Sequence, residues 1–198
     1  MISKALTLLV RELNDYIDAA DNDSTNRPDV VSLGNIAMAE NASNSNNGAL
    51  EKVVLSLVNL EEEKRLKNTP HFIKEGSQTT YIQPPVNLNL YLLFSCSFDN
   101  YTTALRRLSQ VIEFFQGKFV FTLANSPNSG LSGDPQLSEM KLILDIHTLN
   151  FEQINDLWGS LGSKQVPFVM YKMRLLMIRR DSAMASSPAI DEITGIAN

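Results

Sequence analysis

The sequence predicts an α+β fold, a mainly antiparallel sheet with helices packed on one face. Three observations carry that prediction. Residues Val86, Leu88, Leu90, Leu92, Phe94, Cys96 and Phe98 alternate with Asn87, Asn89, Tyr91, Ser95 and Ser97, the period of a long strand with one apolar side. The period then changes at once: Tyr101, Ala104, Leu105, Leu108, Val111, Ile112 and Phe115 share one helical face up to Gln116. Along the whole chain the order is helix, three strands, helix, a short strand, strand, helix, strand, a mixture without repeats or a domain linker.

Taken in order, Ser3 can cap a first helix over about residues 4–20, with Leu6, Leu9, Val10, Leu13, Ile17 and Ala20 as its apolar stripe. Residues 21–28 are loop chemistry, and Asp29 to Ala37 read as a strand. The polar run from Asn41 to Gly48 can bury nothing. Glu51 to Leu60 follows as a strand dense enough in Val and Leu for burial on both faces. It leads into Glu61-Glu62-Glu63-Lys64-Arg65, read as a solvated charged turn. A second polar excursion spans Lys67 to Gln83. Residues 39–49 and much of 68–83 are expected to be mobile until a partner orders them.

After the central strand and its helix, Gln116-Gly117 ends the helix and Lys118 to Leu123 can form a short strand. Met140 to Thr148 is a strand with Leu142, Leu144 and Ile146 inward. Asn150 and Gln153 have capping-box spacing, and Leu149 and Ile154 that of a hydrophobic staple. Ile154, Leu157, Trp158 and Leu161 form the stripe of this third helix, which Gly162 closes. Pro167 opens a last strand with Val169, Tyr171, Met173, Leu175 and Met177 on one side. The expected organisation is one domain over residues 1–181 and a loose tail over 182–198. Helices 100–116 and 150–162 are both expected on one sheet face, over Val86, Leu88, Leu90, Leu92 and Phe94.

Composition narrows the function. A net charge of −5 offers no global basicity for nucleic acid. Locally, Leu157 to Arg180 holds no acid but carries Lys164, Lys172, Arg174, Arg179 and Arg180. Two readings of that stretch stay open, a solvated strand edge or a contact patch. The single cysteine, Cys96, rules out an internal disulfide and sits on the apolar side of its strand. Charged residues punctuate the first twenty positions, unlike a secretory leader, and no apolar run reaches the roughly 20 residues of a membrane span. Synthesis in the cytoplasm without Sec export is the expectation.

Chemistry-bearing patterns are sparse. His71 and His147 lack a second His or a Cys at ligand spacing, and no nucleophile elbow or P-loop occurs. No catalytic, metal or cofactor site is expected. Trp158 reads as a core anchor. Glu61, Glu62 and Glu63 would point to alternate sides of a strand, so a metal site is disfavoured; a solvated turn and a docking patch remain.

Several segments together resemble a known family. They are Val54-Leu55-Ser56-Leu57-Val58-Asn59-Leu60-Glu61-Glu62-Glu63 with Leu66-Lys67-Asn68, Pro84 to Ser95, Tyr101 to Gln116, and Asn155-Asp156-Leu157-Trp158-Gly159-Ser160-Leu161-Gly162 leading to Pro167-Phe168-Val169-Met170-Tyr171-Lys172-Met173-Arg174. Over residues 1–181 the chain resembles the N-terminal domain of the tail-terminator, or cap, proteins of extracellular contractile injection systems of the antifeeding-prophage type. The resemblance implies a phage tail-terminator-like fold and a six-fold ring that closes inner tube and contractile sheath. It implies sheath and tube proteins as partners, with no nucleic acid and no membrane insertion, and a particle that can be released from the cell. Contact is expected through edge strands, loops and local charge. Lys172, Arg174, Arg179 and Arg180 are the favoured contact; Glu61, Glu62 and Glu63 are the second, meeting that basic stretch on a neighbouring copy. A baseplate or connector adaptor of the same kind of particle, and a small enzyme with a loop-borne carboxylate site, are the alternatives.

Overall fold

The computed structural model describes residues 1–21, 29–38, 51–63, 72–75, 78–81, 86–127, 140–178 and 185–188; of 72–75, 78–81, 176–178 and 185–188 it describes the backbone alone. The elements are helices α1 (Ile2–Asp21), α2 (Tyr101–Gly117) and α3 (Phe151–Leu161), and strands β1 (Val31–Leu33), β2 (Lys52–Glu62), β3 (Phe72–Glu75), β4 (Gln78–Tyr81), β5 (Val86–Ser97), β6 (Val120–Thr122), β7 (Lys141–Ile146), β8 (Phe168–Ile178) and β9 (Ala185–Pro188). A six-stranded sheet runs in the order β1-β2-β5-β8-β7-β6, and a three-stranded sheet in the order β3-β4-β9. The fold is α+β and mainly antiparallel, but β1 pairs parallel with β2, so that connection is a crossover rather than a hairpin.

The central position of β5 and β8 follows from their sequences. On β5, Leu90, Leu92, Phe94 and Cys96 turn to one face and Leu93 to the other, and all are buried. The first face packs with Val53 and Leu55 of β2, with Val169, Tyr171, Met173 and Leu175 of β8, and with α1 and α2. Aromatic rings concentrate there: Phe115 lies 5.2 Å from Phe94 and 4.7 Å from Tyr171, centre to centre. Burial lifts the Cys96 thiol to about 12, as befits a small core side chain.

The second face holds a smaller cluster of Ile36, Val54, Leu93, Trp158 and Met170, with Leu149, Ile154, Leu157 and Leu161 half-buried against it. Here α3 departs from expectation. It lies across the sheet from α1 and α2, because Val54, Leu93 and Met170 give the sheet a second apolar side to cover.

Other local expectations also shift. The first helix begins ahead of Ser3, and Ala20 is exposed. The strand expected over 29–37 is confined to β1, followed by a 3-10 turn Ile36–Met38. The buried face of α2 is Ala104, Arg107, Gln110, Val111, Phe114 and Phe115, while Tyr101, Leu105 and Ile112 are exposed. The cause lies in α1. Asp21 accepts hydrogen bonds from Arg107 Nη1 at 2.6 Å and Gln110 Nε2 at 2.9 Å, so two polar side chains are satisfied inside and the helix rotates to admit them. Val86 and Ile146 are exposed, lying at the ends of their strands beyond the helices. Within the excursion read as loop, β3 and β4 form a hairpin, and β9, inside the stretch read as a loose tail, pairs with β4. Residues 39–49 and His71 lie outside the described residues, as does the side chain of Met177.

In each edge strand of the large sheet an asparagine side chain meets outward backbone groups. Asn14 of α1 meets both outward backbone groups of Val31 in β1. Asn125, in a 3-10 turn after β6, donates to the Val120 carbonyl at 2.9 Å and accepts from the Thr122 N–H at 2.8 Å. At these positions the outward backbone groups of the edge strands are already hydrogen-bonded within the chain.

Candidate functional site

The second sheet face, below α3, gathers the charged and polar groups singled out in the sequence. The helix is fixed first. Gln153 N–H donates to Asn150 Oδ1 at 2.8 Å and Asn150 N–H to Gln153 Oε1 at 3.0 Å, the reciprocal cap that the spacing predicted. Gly162 ends the helix at φ 66°, a conformation that favours glycine. Trp158 is buried with its ring 5.4 Å from that of Phe168. The helix is thereby anchored across β5 and β8.

Strand register then sets two cross-sheet rows. In one, Asn59, Tyr91, Lys172 and Asp145 are neighbours on β2, β5, β8 and β7; in the next stand Glu61, Asn89, Arg174 and Ile143. The β2 members reach this face through a bulge. Leu57 pairs with Leu92 but Asn59 with Tyr91, so Val58 is an extra residue. Without it, strict alternation would carry Glu61 and Glu63 to the α1/α2 side together with Val53, Leu55 and Leu57. The acidic run is thus mainly strand rather than a turn: Glu61 and Glu62 are in β2, and Glu62 faces opposite to its neighbours, across from Leu88.

The groups on this face contact one another. Tyr91 Oη donates to Glu61 Oε2 at 2.9 Å. Lys172 Nζ lies 5.7 Å from the centre of the Tyr91 ring, and the His147 ring meets that ring edge-on at 5.1 Å. Asn89 Nδ2 donates to Glu63 Oε2 at 3.0 Å. Arg174 Nη2 pairs with Asp145 Oδ2 at 2.9 Å, both side chains about half exposed, a contact worth about 0–1 kcal/mol. Burial, the hydrogen bond to Glu61 and the charges of Glu61 and Glu63 all push the Tyr91 phenol above its usual value. That shift runs away from neutrality, opposite to what proton transfer at pH 7 requires.

Between α3 and the sheet lies an open groove of about 520 Å³. Val58, Leu149, Leu157 and Met170 supply its apolar walls, and Glu61, Tyr91, His147 and Asp156 polar ones. Among the described residues no group of three or more His, Cys, Asp and Glu could hold a metal ion, and no helix is long and apolar enough to cross a membrane.

Of the residues expected to form a contact, Glu61, Glu63, Lys172 and Arg174 share this face within one chain. Arg179 and Arg180 lie outside the described residues. Tyr91, His147, Asp145 and Asp156 complete the face and were not singled out as contacts. The available signal was the polar side of β5, on which Asn89 and Tyr91 alternate with the core leucines.

A fold built around a two-faced sheet, with a charged face beside an open groove, invites comparison with known proteins. The family model described as the Pvc16 N-terminal domain matches residues 5–192. The chain belongs to that family. This Pvc16 N-terminal domain shares its fold with the sheath/tube terminator of an extracellular contractile injection system, in the extended state, at TM-score 0.55 and 14% identity. The alignment covers 94% of this chain and 62% of the terminator. The tube-terminating cap of the anti-feeding prophage aligns over 73% of this chain and 49% of its own length, at 15% identity and TM-score 0.49. The domain thus spans less than two thirds of either solved chain. No curated protein matches the sequence.

Proposed function

We propose that this chain is a non-catalytic structural cap. It forms a ring, a hexamer, that ends the inner tube and contractile sheath of a phage tail-like injection particle acting outside the cell. The observation that carries the reading is membership of the Pvc16 N-terminal domain family over residues 5–192, and the fold shared with a sheath/tube terminator supports it. Capping requires no bond chemistry: a protein that binds the growing end more tightly than the next subunit does stops growth by occupancy.

The contact residues belong to the same proposal. Glu61, Glu62 and Glu63, with Lys172, Arg174, Arg179 and Arg180, meet the end of the particle. What favours this set is the charged sheet face, which four of them share, and its place beside the groove. Each exposed pair is worth little alone, about 0–1 kcal/mol, but a ring repeats it around its axis.

Deleting the gene should give particles of irregular, extended length in electron micrographs. Particles of uniform wild-type length would reject the cap reading. Reversing Arg179 and Arg180 to Glu should lower the fraction of correctly ended particles relative to wild type, most at low salt, where the charges are least screened; normal yield and length would remove these two from the contact.

A further inference from the structure

The groove beside α3 has the chemistry of a site for a basic segment. Its floor is apolar, formed by Leu149, Leu157 and Met170, and two carboxylates, Glu61 and Asp156, stand in its wall. The helix that forms one side, Phe151–Leu161, contains Glu152 and Asp156 and no Lys or Arg. The end of β2 adds Glu63 two residues beyond Glu61. A cation from this chain, Lys172, lies over the Tyr91 ring, and it is outnumbered by these acids. Covering the groove with a neutral apolar guest would strip water from Glu61 and Asp156 without replacing it. A guest bearing a cation replaces that water with charge-assisted hydrogen bonds.

Two further observations narrow the occupant. At Val31, and at Val120 and Thr122, the edges of the large sheet are taken by Asn14 and Asn125, so strand addition there is blocked. Arg174 of the basic stretch is paired with Asp145 of its own chain, and Lys172 is engaged with Tyr91. A neighbouring copy would have to break those contacts to offer them.

We propose that the groove receives a segment of a different polypeptide, the subunit that this chain caps, carrying a Lys or Arg flanked by apolar side chains. The apolar side chains and the stem of the cation lie on Leu149, Leu157 and Met170, and the cation ends at Glu61 and Asp156. This rests on the cap reading.

The test places the photo-cross-linker p-benzoylphenylalanine at Ser160, an exposed residue of the groove wall, in the full chain within assembled particles. After irradiation the linked peptide is sequenced. The expected product is a peptide from another protein of the particle with a Lys or Arg beside the linked position. The double variant Glu61→Lys with Asp156→Lys should cut its yield by about tenfold or more, because like charges now face each other. Its thermal melt should stay that of a folded protein. Gold labelling of the chain on the same particles separates the two readings. If the chain sits at particle ends but Ser160 links to a second copy, to a peptide without a cation, or to nothing, the groove proposal fails and the cap reading stands. A yield unchanged in the folded double variant also overturns it. If the chain is absent from particle ends, the cap reading fails and takes the proposal with it.

Discussion

Asn14 and Val31 form a reciprocal pair in which Asn14 Nδ2 donates to the Val31 carbonyl and Asn14 Oδ1 accepts from the Val31 N–H, each at 2.9 Å. Val30 O and Gly34 N bond to β2 on the inner side, so the Val31 groups are those that face away from the sheet. The side-chain amide occupies the place a further strand would take. Asn14→Ala should therefore cost about 2–4 kcal/mol, since it orphans two buried backbone groups. It should also unmask the edge and promote self-association. Urea melts and sedimentation velocity check both effects; a fully stable monomer would show that water replaces the amide.

Asp21 gives a pH dependence. Burial alone would raise its carboxyl, but hydrogen bonds from Gln110 and Arg107 and the charges of Arg107 and Arg106 outweigh that and hold it below its ordinary 3.8. A carboxyl depressed in the folded state stabilises fully above its unfolded value, and that stabilisation is lost as pH falls through the lower folded value. Asp21→Asn should thus lose about 2 kcal/mol at pH 7 and converge on the wild type in strong acid. Parallel stability curves from pH 7 to the acid limit would contradict the role of this ion pair.

Leu90 is fully buried in the centre of β5 among residues of α1, α2 and the sheet. Leu90→Ala should cost about 2–5 kcal/mol through lost burial and a residual cavity. A change below about half a kilocalorie in denaturant melts would mean that the site collapses around the smaller side chain.

Gly162 tests the end of α3. A Cβ there meets nothing within 4 Å, so the whole cost of Gly162→Ala is backbone conformation at φ 66°. About 1 kcal/mol is expected. An unchanged melting temperature would imply that the helix end relaxes to a different turn.

Much of this fold was legible because local chemistry sufficed to specify it. The Asn150–Gln153 cap and the alternation from Leu90 to Cys96 needed no distant partner. The α2 face was misread because Arg107 and Gln110 can be buried only if Asp21, 86 positions away from Arg107, is there to meet them. The second sheet face had a signal in Leu92-Leu93-Phe94, three consecutive apolar residues that a one-sided strand would not carry, but nothing in α3 says which side it covers. Within the candidate site, the charges were visible and their grouping was not. Nothing in Leu57-Val58 marks the bulge, since both residues are apolar and either could be core.

Val58 acts as a parity bit. A strand assigns its side chains to two surfaces by counting, and one uncounted residue inverts every assignment downstream. The charge pattern of this face therefore depends on the bulge in β2 as much as on the composition of the strand. Pairing Val58 into the ladder would change no acidic residue, yet it would carry Glu61 and Glu63 to the opposite surface and bring Leu60 and Glu62 to the side of Tyr91. A homologous chain one residue shorter here would keep its acids on this face, whereas one of equal length without the bulge could match at every charged position and still present them to a different neighbour.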